Sequence, residues 1–397
     1  MKPVRSQVPD SWSFWDLGST ASEGGSAAWR VIVRLVTACL ILAAGCAPGQ
    51  PTPGGGARGP AAREPTPACA WFGDARDGVL YFGESSFWSA WQASHGDPLA
   101  VLARPGPQRI GRFDLARERL LPALLVDPLA TASGTWDVLA HPNGRVYYTD
   151  LFGSSGWIDP ATGRRGRLGS GPGLNELTLG SAGRVLATRY GGVGTTPGGV
   201  VVLDPDGAVL AEHALAAVPP GVRPAAKSLA FDPVRDAVWV NTDLLDARGR
   251  GVGHDARVLD LATGRWTARF PAPELQFVRF EPDGRGLFVW LEGTRLVLRD
   301  VDPGGALSPE SGRPRLLDPA FPPGLDFVQD VVAAPDGDVV AMRWSGVVHL
   351  VSRAGALRTT RLPRPAPGGL FYTAVPHDGR LCATYCGGIA VVCAPEP

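Results

Sequence analysis

The sequence predicts an all-β fold, a β-propeller of four-stranded antiparallel blades, and three observations predict it. The first is a turn that returns seven times, at Asp77-Gly78, Asn143-Gly144, Ala182-Gly183, Arg235-Asp236, Asp283-Gly284, Asp336-Gly337 and Asp378-Gly379. From Gly78 to Gly379 the six intervals cover 301 residues, about 50 each, which is the length of one blade. The second is composition. Gly and Pro number 52 and 38 among 397 residues, yet 44% of the chain is hydrophobic, as expected for short apolar strands joined by many tight turns. The third is a second turn after most of the first. It is clear at Asp159-Pro160-Ala161-Thr162-Gly163, Asp204-Pro205-Asp206-Gly207 and Asp260-Leu261-Ala262-Thr263-Gly264, and looser at Phe113-Asp114, Val301-Asp302 and Ser352-Arg353.

Each repeat therefore reads as strands a, b, c and d with a marked a–b turn and a marked c–d turn. In an antiparallel meander those turns share one edge, and the variable b–c and d–a connections share the other. Binding groups concentrate on variable loops carried by a rigid scaffold, so the b–c/d–a face is the expected functional face. Seven blades are the preferred count. Six follow if residues 69–73 complete the last blade instead of starting the first.

Ahead of the repeats, residues 1–45 read as an export signal. Residues 31–44 are an apolar run with Arg30 and Arg34 at its start, too short for the roughly 20 residues of a spanning helix. Residues 1–29 make an unusually long leader, and translation starting near Val31 or Val33 would explain it. The exit, Leu42-Ala43-Ala44-Gly45-Cys46, resembles the lipobox of bacterial lipoproteins. That resemblance implies that Cys46 is diacylated, becomes the new N-terminus and tethers the protein to the membrane of the cell envelope. Residues 46–68 are Pro/Gly-rich with no hydrophobic period and read as the tether. Residues 69–397 are the propeller domain.

Charge excludes one class of partner. Lys plus Arg and Asp plus Glu both number 38, with no basic stripe, so nucleic acid is not an expected ligand. Lysine itself is rare: only Lys2 and Lys227 occur.

The seventh repeat stops after strand c, so the ring needs another closure. The propeller region holds Cys69, Cys382, Cys386 and Cys393. In an exported, oxidising setting, disulfides are expected. A hairpin turning at Gly387-Gly388 sets Cys382 across from Cys393, and Cys69 and Cys386 then share the functional face. The expected pairs are Cys382–Cys393 and Cys69–Cys386, the latter closing the ring. A four-cysteine zinc site is the alternative.

Counting eight residues back from each turn glycine, nine in the fourth repeat, marks the start of the innermost strand at the channel mouth. The residues there are Trp136, Asn175, Lys227, Gln276, Gln329 and Phe371. Amide, ammonium, amide and amide on consecutive blades suit a polyol or a carboxylate. Polar strand starts near water also need no function at all. One position later stand Asp137, Glu176 and Asp330, on the opposite strand face. If the register is off by one, these carboxylates line the mouth and suit Ca²⁺ or another hard divalent cation. The b-strand ends add Asp150, Arg189, Tyr190, Asn241, Asp243, Glu292 and Arg343. His95 and His254 fall in b–c loops on the same face, where either is a candidate general base. In the first b–c loop, Trp88 and Trp91 could stack on a sugar ring.

No nucleophile elbow, P-loop or zinc-protease motif occurs. Leu174-Asn175-Glu176-Leu177, Ala182-Gly183-Arg184, Tyr190-Gly191-Gly192, Gly198-Gly199-Val200-Val201 and Lys227-Ser228-Leu229-Ala230-Phe231 together resemble the gluconolactonase and senescence-marker-protein family of calcium-dependent lactonase propellers. The resemblance covers about two blades, and NHL-type propellers share such phrases. It implies a metal held at inner-strand starts, and Asn175 matches one such position. Lys227 and Gln276 replace two others, and an ammonium repels the cation. The favoured expectation is thus a propeller that binds a small polar molecule or a protein partner without catalysis or cofactor. The alternative is a metal-dependent lactone or ester hydrolase.

Overall fold

The computed structural model describes residues 69–84, 108–127, 134–150, 153–191, 197–215, 220–247, 251–271, 276–280, 284, 286–292, 295–301, 311–314, 328–333, 338–352, 356–365, 369–386 and 391–396. Their strands form seven antiparallel sheets in chain order, six of four strands and a last one of three. Strand a of the blades runs over Ala70–Arg76, Val138–Ala140, Leu174–Leu179, Arg223–Asp232, Gln276–Phe280, Val328–Ala333 and Leu370–His377. These seven strands touch one another in succession, the last touching the first, so they form the innermost ring. The chain makes a closed seven-bladed propeller.

The a–b turns behave as their sequence demands. Asp77 and Gly78 take φ of 51° and 75°, and Asp378 and Gly379 take 48° and 71°. Two successive residues with positive φ match the right-handed twist of the flanking strands, which is why Asp-Gly recurs there.

The core is divided among the seven blade boundaries. Phe82, Phe113 and Leu115 of blade 1 pack on Cys382 and Val391 of blade 7, and Ile110 of blade 1 packs on Val146 and Tyr148 of blade 2. Tyr147 and Trp157 of blade 2 meet Leu174 and Val201 of blade 3, and Leu186 and Val200 meet Val238 and Val240 of blade 4. Trp239 of blade 4 faces Phe288 of blade 5, and Val289 of blade 5 faces Val328, Val331 and Ala341 of blade 6. Met342 and Leu350 of blade 6 face Phe371 and Leu381 of blade 7. Alternate side chains of each sheet thus fill one wedge or the other, as a two-sided buried strand requires.

Two disulfides finish the ring: Cys69–Cys386 and Cys382–Cys393. The first joins the start of blade 1 to the end of strand b in blade 7, across 317 residues of chain. The second ties strands b and c, where Cys382 and Cys393 are directly paired. Both are the expected pairs. The closure is covalent where the fourth strand of blade 7 is missing from the described residues.

Candidate functional site at the channel mouth

Five of the seven innermost strands share an irregularity at their b–c/d–a end. Pairing with strand b slips between Ala70 and Gly73, opposite Thr188 in blade 3, at Lys227, at Gln329 and between Phe371 and Ala374. A bulge leaves backbone N–H groups without ladder partners, and buried donors need acceptors. Threonines of strand b supply one set: Thr149, Thr188 and Thr384 accept the N–H of Asp137, Glu176 and Thr373 through their hydroxyl oxygens, at 3.1, 3.0 and 2.9 Å. The neighbouring blade supplies the other set. Asp137 accepts the Leu177 N–H at 2.7 Å, Asp330 that of Ala374 at 2.8 Å, and Thr373 that of Gly73 at 3.0 Å. Glu176 is bonded likewise by the Leu229 backbone. Asp74 accepts the Ala140 N–H at 3.0 Å.

These carboxylates therefore latch blade to blade around the channel. Burial pushes Asp137 up to about 7, against the hydrogen bonds from Leu177 and Val138. It pushes Asp330 up to about 6 and Glu176 well above the ordinary glutamate value. Asp74 is raised for the same reason. Asp137, Glu176 and Asp330 each also feel the charge of others in the set, and Arg279 of blade 5 acts on Asp74 and Asp330. Among the described residues, no group of three or more His, Cys, Asp or Glu side chains is arranged to hold a metal ion.

Beside the latch, blades 3 and 4 assemble a polar cluster around Asp243. Asp243 and His254 are cross-strand partners at the ends of strands b and c, so their side chains stand on one face. His254 Nδ1 lies 2.9 Å from Asp243 Oδ1, and Tyr190 of blade 3 donates its hydroxyl to Oδ2 at 3.1 Å. Lys227 Nζ stands 3.8 Å from Oδ1, attracted but beyond hydrogen-bond reach. Burial alone would push the Asp243 carboxyl up. Lys227, His254 and Tyr190 more than offset it and hold it below the usual carboxylate range. Lys227 keeps 29% of its side chain exposed while Asp243 is buried, so the ammonium fronts a carboxylate set behind it. The Lys227 carbonyl accepts from Asn175 Nδ2 and Thr188, which pins the bulge in place.

The other side of the mouth is aromatic. Trp71 packs 4.1 Å from Trp136 and stacks 5.3 Å from Tyr372. Phe72 lies 6.2 Å from Trp136 and 5.6 Å from Tyr372, and Trp344 lies 6.4 Å from Tyr372. Trp71 and Tyr372 are buried beside the Cys69–Cys386 bridge, whereas Phe72, Trp136 and Trp344 are half-buried. Rings from blades 6, 7, 1 and 2 meet here.

Asn175, Lys227 and Gln329 occupy equivalent bulge positions, as does Trp136 at the entry to blade 2. Asn175 and Gln329 are buried, with Lys227 more open. Phe371 is different. It is fully buried in the wedge between blades 6 and 7, 4.8 Å from Tyr385, and the mouth position in blade 7 belongs to Tyr372. The bulge explains the slip: Thr373 plays the part of Asp137 and Glu176, so the residue just before it, not Phe371, faces inward. Arg189 is spent on Glu212 and the Ser170 carbonyl. Gln276 begins strand a of blade 5, opposite Trp290, and its side chain lies outside the described residues. Cys46, Trp88, Trp91 and His95 lie outside them as well. The aromatic partners Trp71, Phe72 and Tyr372 carry no motif, and only the bulge places them.

No family model matches the chain, and no curated protein matches it. Solved structures do. A catalytically inactive variant of virginiamycin B lyase from Staphylococcus aureus, with quinupristin, aligns at a TM-score of 0.57 and 11% identity over 84% of this chain and 97% of that one. The β-propeller domain of Cps50 (Swd1) from Myceliophteria thermophila aligns at 0.56 and 14% identity over 85% and 99%. The fold is a β-propeller. At a TM-score of 0.44 and 18% identity, the calcium-binding protein regucalcin from Agrobacterium tumefaciens covers 63% of this chain and is covered over 81%. The first two alignments speak for the shared propeller and leave the chemistry of the mouth to its own residues.

Proposed function

We propose that this protein is an exported, lipid-anchored propeller that binds a small polar molecule at the channel mouth on its b–c/d–a face. The observation that carries the reading is the cluster of Lys227, His254 and Tyr190 around the buried Asp243. A buried carboxylate fixes the orientation of its donors before any ligand arrives, so little ordering remains for binding to oppose. Lys227 offers three N–H donors that its long ion pair with Asp243 does not consume. The carboxylates of the latch are engaged by backbone N–H groups, which favours binding through Lys227 over binding through a metal ion.

Thermal unfolding of the full chain with small polyols and carboxylic acids tests the binding. A ligand held only by the folded state raises the midpoint by mass action. The expected result is a rise that Lys227→Met removes. A rise unaffected by Lys227→Met, or none with any compound, contradicts the reading. Anchoring is tested separately: Cys46→Ser should move the protein from the membrane fraction to the soluble one, and retention there would refute the lipid tether.

A further inference from the structure

The mouth is two-sided, and each side by itself is chemically plain. Blades 3 and 4 offer the Lys227 ammonium with His254 beside it, both set on Asp243. Blades 7, 1 and 2 offer Phe72 and Trp136 over the buried Trp71 and Tyr372. The two sides are close. The Trp136 N–H donates to the Thr149 carbonyl at 2.8 Å, Thr149 Oγ1 to the Asn175 carbonyl at 2.6 Å, and Asn175 Nδ2 to the Lys227 carbonyl, so a short chain of hydrogen bonds links the entry of blade 2 to the bulge of blade 4.

The aromatic side is not a flat platform. Trp136 is tilted 57° to Trp71 and 41° to Phe72, and Phe72 meets Tyr372 edge-on at 78°. Tilted rings present edges and partial faces, which suit another π ring in an edge-to-face or offset arrangement. A pyranose stacks on one broad open face, and none of the three half-buried rings is fully exposed. On the opposite side an ammonium with unspent donors selects a carboxylate.

We propose that the ligand of this mouth is an aromatic carboxylate, its ring against Phe72 and Trp136 and its carboxylate at Lys227. This rests on the reading that the mouth binds a small polar molecule, and it names that molecule's class. Both halves act on one ligand, so their contributions combine where separate fragments gain only one each.

Calorimetric titration of the full chain with four probes tests it: benzoate, acetate, benzyl alcohol and methyl glucoside. Benzoate is expected to bind at least about tenfold more tightly than either acetate or benzyl alcohol, and to change tryptophan fluorescence. Trp136→Leu should lower benzoate to the level of acetate. Lys227→Met should lower it to the level of benzyl alcohol, while Lys227→Arg keeps binding within a few fold and shows the site still folded. If benzoate binds no more tightly than acetate, or methyl glucoside binds more tightly than benzoate, the aromatic assignment falls and the polar-ligand reading stands. If none of the four binds at millimolar concentration, both fall. The probe comparison on the unaltered protein decides the matter without any variant.

Discussion

Asp137 of blade 2 accepts the backbone N–H of Leu177 in blade 3 at 2.7 Å, so a side chain of one blade completes the backbone of the next. The same relation joins Asp330 to Ala374 and Thr373 to Gly73. Residues of the type that could ligate a cation at the mouth are thereby committed to holding the ring together. On the proposed reading, a ligand at the mouth meets Lys227 on one side and the half-buried rings on the other.

Removing a latch should cost stability in proportion to the donor left behind. Asp137→Ala strands the Leu177 N–H, an expected loss of about 1–3 kcal/mol. Asp137→Asn keeps an oxygen acceptor and should stay close to wild type. Urea unfolding of both variants checks this, and equal losses would mean that the hydrogen bond is not what matters.

The raised carboxylates give a stability that falls with pH. Asp137, at about 7, and Asp330, at about 6, hold protons in the folded chain that the unfolded chain has already released. The folded state binds more protons between roughly pH 4 and 7, so unfolding free energy declines across that window and the penalty is complete above it. The melting midpoint should be higher near pH 5 than near pH 8, and Asp137→Asn should flatten the difference. A midpoint that is the same at both values would show these carboxyls ionised in the fold at ordinary pKa.

Metal ions should not matter. With Asp137, Glu176 and Asp330 engaged by the neighbouring blades, millimolar Ca²⁺ or a chelator should leave the midpoint where it is. A Ca²⁺-dependent rise lost in Asp330→Ala would revive the metal-dependent hydrolase.

The two disulfides should differ in weight. The chain-entropy relation gives roughly 5–6 kcal/mol for the 317-residue separation of Cys69 and Cys386, against about 3 for the 11-residue separation of Cys382 and Cys393. Paired serine replacements, compared by denaturant unfolding, should show the larger loss for the ring-closing bridge. The reverse order would mean that the blade 7–blade 1 packing closes the ring unaided.

Much of this was legible before the structure. The Asp-Gly turns are local, since positive φ is a property of two adjacent residues, and they marked the blades directly. Cys382 and Cys393 flank one hairpin, and Cys69 and Cys386 end strands at the same edge, so spacing and edge were enough to pair them. The count that located Asn175 and Lys227 failed for Phe371, because a bulge shifts residues without a sequence signature. The Asp243 cluster was visible only as parts: Tyr190, Asp243, Lys227 and His254 come from two blades and meet through folding. Phe72, Trp71 and Tyr372 carry no sequence signal because aromatic residues in strands are ordinary, and only their convergence from neighbouring blades makes a wall.

The most direct test of the central claim uses the scarcity of lysine. Only Lys2 and Lys227 occur, so a Lys2→Arg chain labelled with ¹³C at the lysine ε-carbon gives a single side-chain resonance, that of Lys227. Titration with benzoate should move that resonance along the same saturation curve as tryptophan fluorescence. A resonance that stays fixed while fluorescence saturates would place the ligand elsewhere and contradict the assignment of Lys227 to the binding site.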